Sequence, residues 1–272
     1  MKYGIAITPV VPMRAAADER SEMTSQLLWG ETFCVEEQSG CWLRVCAAAD
    51  SYVGWVNPLM VRLPDEEAWG QYAAQPSQIC TSSLCFAVDE RAEQRVCLPQ
   101  GSLLYGYSEA TRTFMLAGRA YRLERSLRKL PRGRREASVA AALQLLNAPY
   151  LWGGRTLLGI DCSGLTQLAY RVAGVSIPRD AAQQAGVGST VAAVERAQPA
   201  DLAFFCGENE RITHVGMLLG EGRIVHASGS VRIDKVDSRG IFNSDLNRYT
   251  HRLKVVKNLQ PEVKVTPPDA VS

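Results

Sequence analysis

The chain contains no apolar run near the roughly 20 residues that cross a bilayer as a helix, so neither a transmembrane helix nor a membrane partner is expected. Its opening, MKYGIAITPVVPMRAAADE, has a short apolar patch broken by two prolines and lacks the long uninterrupted core of an export signal. A cytoplasmic location is therefore expected; the alternative is export, with a leader already removed. Strong charge of one sign is also absent: 30 Lys and Arg against 28 Asp and Glu leave a formal +2, no reason to expect a nucleic acid partner. One basic run, ERSLRKLPRGRRE (124–136), has no interleaved aromatic residues on which bases could stack, so it reads as a solvated connector. The eight cysteines form no CxxC pair, which argues against a zinc ribbon or a small disulfide scaffold. Histidine is scarce: only His214, His226 and His251 occur, none at the two-to-four-residue spacing of a metal-ligand pair. No metal and no cofactor are expected.

The remaining sequence separates into two regimes. Residues 1–63 are rich in β-formers: CWLRVC (41–46) alternates with period two, and TFCVEE and YVGWVNPLMV are punctuated by glycine. Strands this short and close suggest a small barrel. Residues 64–123 repeat the theme more faintly, with GSLLYGYSE echoing LLWGETFCVE and TFMLAGRAYRL reading as a hairpin, as in a duplicated barrel. Residues 124–135 then read as a basic linker, 136–258 as a different domain and 259–272 as a loose tail. In that third domain Val139, Ala142, Leu143 and Leu146 recur at helical spacing, as do Leu165, Leu168, Ala169 and Val172 after Asp161. Strand-like runs follow: DLAFF, THVGMLLG, RIVHASG and HRLKVV. Helices first and strands after predict an α+β domain with an antiparallel sheet.

The chemistry gathers in this second half. Cys162 falls in the first turn of a helix with Asp161 as its N-cap, where unpaired N–H groups favour an anion and could hold an oxyanion. A nucleophilic thiol needs a base, and the base needs a group that orients it. His214 and His226, on adjacent predicted strands, supply the pair. They share a sheet face only if the loop joining them is odd or a bulge intervenes; a regular two-residue turn at Glu221-Gly222 would separate them. His251 shows no partner and reads as structural.

The run APYLWGGRTLLGIDCSGLTQLAY, followed by PRDAAQQ, QPADLAFF, THVGMLLG and IVHASG, resembles the NlpC-type papain-like cysteine peptidases of bacterial cell-wall metabolism, over about residues 136–256. One departure stands out: Ala200 occupies the place of a usual glycine. The resemblance implies a papain-like catalytic fold behind two bacterial Src-homology-3-like barrels, with a Cys162–His214–His226 triad. It also implies a substrate partner, peptidoglycan stem peptides of the form L-Ala-γ-D-Glu-diamino acid, cut at the γ-D-glutamyl bond. In the branch it most resembles, the barrel restricts the cleft to peptides with a free N-terminal L-Ala. Further roles follow from that likeness: Tyr150 and the main chain of Cys162 at the oxyanion, Asp161 and Ser163 near the substrate ammonium, and Arg179 at the D-Glu carboxylate. Trp152 would wall the cleft, and Tyr52, Trp55 and Glu22 are the barrel's candidates. The alternatives are an exported endopeptidase or amidase acting on intact wall, and a non-catalytic binder of wall fragments.

Overall fold

The computed structural model describes residues 2–259, and the chain divides into one compact unit ending at Lys129 and another beginning at Leu130. The division falls inside the stretch read as linker. Arg128 is tied to the first unit, its carbonyl accepting from Thr81 Oγ1 (2.6 Å) and its N–H donating to Ser82 Oγ (3.0 Å). Arg134 and Arg135 already open the first helix of the second unit. Most of the expected tail, residues 260–272, lies outside the described residues. Among the described residues no helix is long and apolar enough to cross a membrane.

In the N-terminal unit, seven strands between Lys2 and Arg62 form one antiparallel sheet around Val11, Met13, Phe33, Val45 and Val56. Trp42–Ala47 alternates buried and half-buried residues, the period-two pattern seen in its sequence. Six more strands between Ser77 and Leu123 make a second sheet. The hairpin Thr113–Leu116/Arg119–Leu123 turns through Ala117 and Gly118, both at positive φ, as a type I′ turn requires. The sequence reading missed the short helix Glu66–Ala73 before this sheet, which Asp65 caps by accepting from the Ala68 N–H at 2.8 Å. The two sheets are joined by hydrogen bonds: Leu103 N–H donates to the Trp29 carbonyl (2.8 Å), and the Tyr105 hydroxyl donates to that of Gly30 (2.9 Å).

The C-terminal unit is α+β, as expected. Its first helix, Arg134–Leu143, starts earlier than the periodicity suggested and buries Ala137, Ser138, Ala141 and, of the expected stripe, Ala142, leaving Val139 and Leu143 half-buried. The reason is close packing: this helix lies on the cysteine helix, Cys162–Val172, and small side chains let two helix backbones approach. The cysteine helix is buried over all but Arg171. Thr166 and Tyr170 of this helix find partners inside the core: Thr166 Oγ1 donates to Gln184 Oε1 (2.8 Å), Gln184 Nε2 donates to the Ser163 and Pro178 carbonyls, and Tyr170 donates to the Ala200 carbonyl.

The sheet behind this helix is antiparallel throughout. Its main strands are Leu202–Cys206, Ile212–Gly220, Arg223–Ser228, Ser230–Val236, Gly240–Asn243 and Arg248–Asn258. The last strand pairs with both Leu202–Cys206 and Gly240–Asn243, so these six close on themselves. Ala200, buried at the entry to the sheet, sits at φ 73°, the left-handed region in which a Cβ is strained and glycine is free. That conformation accounts for the glycine usual at this place.

Candidate active site

The cysteine helix begins where two backbones touch. A Cβ on Gly164 would stand 2.4 Å from the Gly154 carbonyl oxygen, so the WGG loop and the first helical turn can lie together only with glycine there. Asp161 caps the helix and binds the loop at once. Its Oδ1 accepts from the Gly164 N–H (2.6 Å) and from Ser163 Oγ (3.2 Å), and its Oδ2 accepts from the Gly153 N–H (2.9 Å). Arg179 completes the cluster, donating to both Asp161 oxygens (3.0 and 2.6 Å) and to Ser163 Oγ (2.9 Å). Arg179 is 1% exposed. The substrate-carboxylate role read for Arg179 therefore competes with a buried clamp on Asp161.

Cys162 is itself buried, against the strand that carries His214. Burial, followed by the neighbouring Asp161 charge, pushes its thiol up to about 11; the N–H groups of Val215 and Ser163 and the Arg179 charge oppose that shift without overcoming it. The helix start alone would predict a thiolate. Desolvation wins instead, and the resting group is a thiol. Tyr150, beside it, is pushed up to about 12 by burial and by the charges of Cys162 and Asp161, so its hydroxyl keeps its proton at neutral pH. Trp152, expected to wall the cleft, is 60% exposed.

The histidines meet because of a bulge. The turn is Glu221-Gly222, two residues with both φ positive, the geometry that would have separated them. Between Leu218 and Gly220 the register shifts: Leu218 faces Ile224 while Gly220 faces Arg223, leaving Leu219 extra. Gly216 is thereby set opposite His226, and His214, two residues away, joins His226 on the same face. Gly216 must stay small, because a Cβ there would be 2.7 Å from Ile224 Cδ1 and 2.9 Å from His226 Cβ. His214 Nε2 and His226 Nδ1 are 2.9 Å apart, both rings buried.

Two neighbours of this pair escaped the sequence reading. His251 stacks on His214 with ring centroids 4.1 Å apart and planes 27° from parallel, brought there by the last strand; it is not the isolated residue expected. Asp234 Oδ2 lies 3.0 Å from His226 Nε2, and Arg232 holds the same carboxylate. The available signal was the SGS turn at 228–230, which pairs His226 with Arg232 and Ile224 with Asp234. The three histidines also offer ring nitrogens within 4.8 Å of one another. Both His226 nitrogens are committed, however, and the in-plane lone pairs of stacked rings do not converge on one point as a tetrahedral ion demands.

Burial first, then the neighbouring histidines, holds His214 well below its ordinary 6.5, and His251 is likewise lowered to about 4. Folding thus favours the neutral imidazoles, and the unfolded chain binds more protons than the native one below pH 6.5. The stabilisation is fully present above that pH and is lost as pH falls toward the native values. The urea midpoint is therefore expected to drop between pH 7 and pH 5; a midpoint constant over that range would contradict the assignment.

Comparison with known proteins bears on both units. Residues 147–249 match the NlpC/P60 family, and residues 13–58 match the bacterial dipeptidyl-peptidase Sh3 domain. The chain is 29% identical over 265 residues to dipeptidyl-peptidase 6 of Lysinibacillus sphaericus, covering 89% of this chain and 95% of that protein. It is 27% identical over 222 residues to the γ-D-glutamyl-L-lysine dipeptidyl-peptidase of Bacillus subtilis, covering 75% of this chain and 71% of that one. The crystal structure of an NlpC/P60 family protein from Bacillus cereus superposes with a TM-score of 0.81 over 95% of this chain and 100% of that one, at 20% identity, a likeness of fold. Tyr52, Trp55 and Glu22, the barrel candidates, fall within the Sh3 match. The chain thus carries an NlpC/P60 domain, preceded by a bacterial dipeptidyl-peptidase Sh3 domain.

Proposed function

We propose that the chain hydrolyses the γ-D-glutamyl–diamino acid bond of peptidoglycan stem peptides bearing a free N-terminal L-Ala, with Cys162 as nucleophile, His214 as base and His226 as its orienting partner. The observation that carries this reading is the buried His214–His226 pair, with His214 on the strand against which the capped cysteine helix lies. With thiol and imidazole both held neutral, His214 acts as a general base rather than half of a standing ion pair. It takes the Cys162 proton as the sulfur attacks the γ-carbonyl of D-Glu. The Cys162 N–H and the Tyr150 hydroxyl donate to the oxyanion. His214 then protonates the departing diamino acid amine, and water, activated by the same imidazole, hydrolyses the thioester.

The choice of stem peptides is supported by the named relatives, the Bacillus subtilis one being a γ-D-glutamyl-L-lysine dipeptidyl-peptidase. Asp161 would meet the substrate ammonium as a carboxylate already shared with Arg179, with Ser163 beside it. Trp152 presents an exposed apolar face to the peptide in this reading. The test compares L-Ala-γ-D-Glu-diamino acid with its N-acetylated form. Losing charge-assisted hydrogen bonds to the ammonium is expected to lower kcat/KM by about 100-fold. Equal rates would favour an endopeptidase or amidase acting on the intact wall.

A further inference from the structure

We propose that Asp234, held by Arg232, is a positioning residue of this site: by accepting the Nε2 proton of His226, it sets which nitrogen of His214 is free to take the Cys162 proton. The inference rests on the Cys162–His214–His226 reading and extends it by one residue. An ionised carboxylate can only accept. The 3.0 Å contact from Asp234 Oδ2 therefore requires the proton on His226 Nε2, and in a neutral ring Nδ1 is then an acceptor. The next contact, 2.9 Å to His214 Nε2, must in turn be donated by His214. That leaves His214 Nδ1 as a lone pair, the form a general base needs. With the order reversed, His226 would donate from Nδ1, His214 would carry its proton on Nδ1, and the base would be lost.

The carboxylate is built to stay charged. Its side chain is 2% exposed, and Arg232 approaches both oxygens, with Nη2 2.9 Å from Oδ1 and Nε 2.8 Å from Oδ2. Arg232 is itself anchored by Asp245 at 2.7 Å. Burial alone would raise the Asp234 carboxyl, but the hydrogen bonds and charges of His226 and Arg232 outweigh it and hold the group below its ordinary value. The other titratable ring against the two imidazoles is His251, stacked on His214 and edge-on to His226, while Cys162, with Asp161 and Arg179 beside it, lies against the strand that carries His214. None of these holds His226 Nε2. When His214 takes the thiol proton, the chain of contacts also sets a negative charge at the far end of the new positive one, as an orienting carboxylate does in other triads.

The first test needs no variant and no substrate. Long-range proton–nitrogen NMR of the 15N-labelled full chain at neutral pH reports the tautomer of each histidine. His214 and His226 should both be protonated on Nε2; a proton on Nδ1 of either would overturn the proposal. The second uses Asp234→Asn, whose amide no longer forces His226 to donate from Nε2. Turnover of L-Ala-γ-D-Glu-diamino acid should fall by about 100- to 10,000-fold in kcat with little change in KM. Alkylation of Cys162 by iodoacetamide, read by mass on its own peptide, should slow in parallel, and the histidine tautomers should change. A kcat within threefold of the parent with unchanged tautomers would overturn the assignment. Retained turnover in Cys162→Ala would instead sink the nucleophile reading, an outcome the histidine spectra do not depend on.

Discussion

Cys162→Ser is expected to abolish peptide hydrolysis, with kcat/KM falling by at least about 10,000-fold, while the fold and melting temperature stay close to those of the parent chain. Serine keeps the size and the helix-start position, so only the chemistry of the nucleophile is removed. Its hydroxyl is far less acidic than a thiol, and His214, lowered well below 6.5 by burial, is too weak a base to compensate. His214→Ala should reach a similar floor. The double variant should be little worse than either single one, because residues that act as one unit do not contribute additively. Steady-state rates on L-Ala-γ-D-Glu-diamino acid, with thermal melts as control, measure all three. A Cys162→Ser enzyme retaining a tenth of the activity would mean that the thiol is not the nucleophile.

The second large effect is on stability. Asp161→Ala removes the N-cap of the cysteine helix and leaves the Arg179 guanidinium buried without its carboxylate. Stranding one member of a buried pair costs about 3–5 kcal/mol, and loss of a cap about 1 more. That is a large part of the margin of an ordinary domain. The Gly153 N–H and Ser163 hydroxyl lose their acceptor too, so the WGG loop should loosen with the helix start. Asp161→Asn keeps a capping oxygen and the shape, losing mainly the charge opposite Arg179, and should lie between the two. Urea unfolding of the three proteins distinguishes the cases. A loss under about 1 kcal/mol for the alanine variant would show that Arg179 finds another partner and that the clamp is not structural.

How far the site could be read in sequence depended on how local its causes are. DCSG and the apolar residues after it identified the helix and its cap because both are properties of adjacent residues. The strands that carry His214 and His226 were equally local, and the need for a bulge between them followed from strand parity. That Leu219 is the extra residue did not, since any position in the hairpin could have absorbed it. Arg179 is expected at a substrate carboxylate because nothing in the spacing tells that it folds back onto Asp161, 18 residues away. His251 reaches His214 only through the closing strand, and Asp234 reaches His226 only through a further hairpin, so neither could be seen without pairing partners. Of the stripe expected for the first helix only Ala142 is fully buried, because packing on a second helix favours alanine and serine over the larger apolar residues.

The central claim is that Cys162 forms a thioester with the γ-carbonyl of D-Glu. Rapid acid quench of the parent enzyme with L-Ala-γ-D-Glu-diamino acid, followed by peptide mass analysis, tests it directly. The predicted result is a transient L-Ala-D-Glu acyl adduct on the peptide containing Cys162, decaying as the dipeptide accumulates. Continued product release with no adduct at any quench time, from an enzyme whose Cys162 remains fully alkylatable throughout, would contradict it.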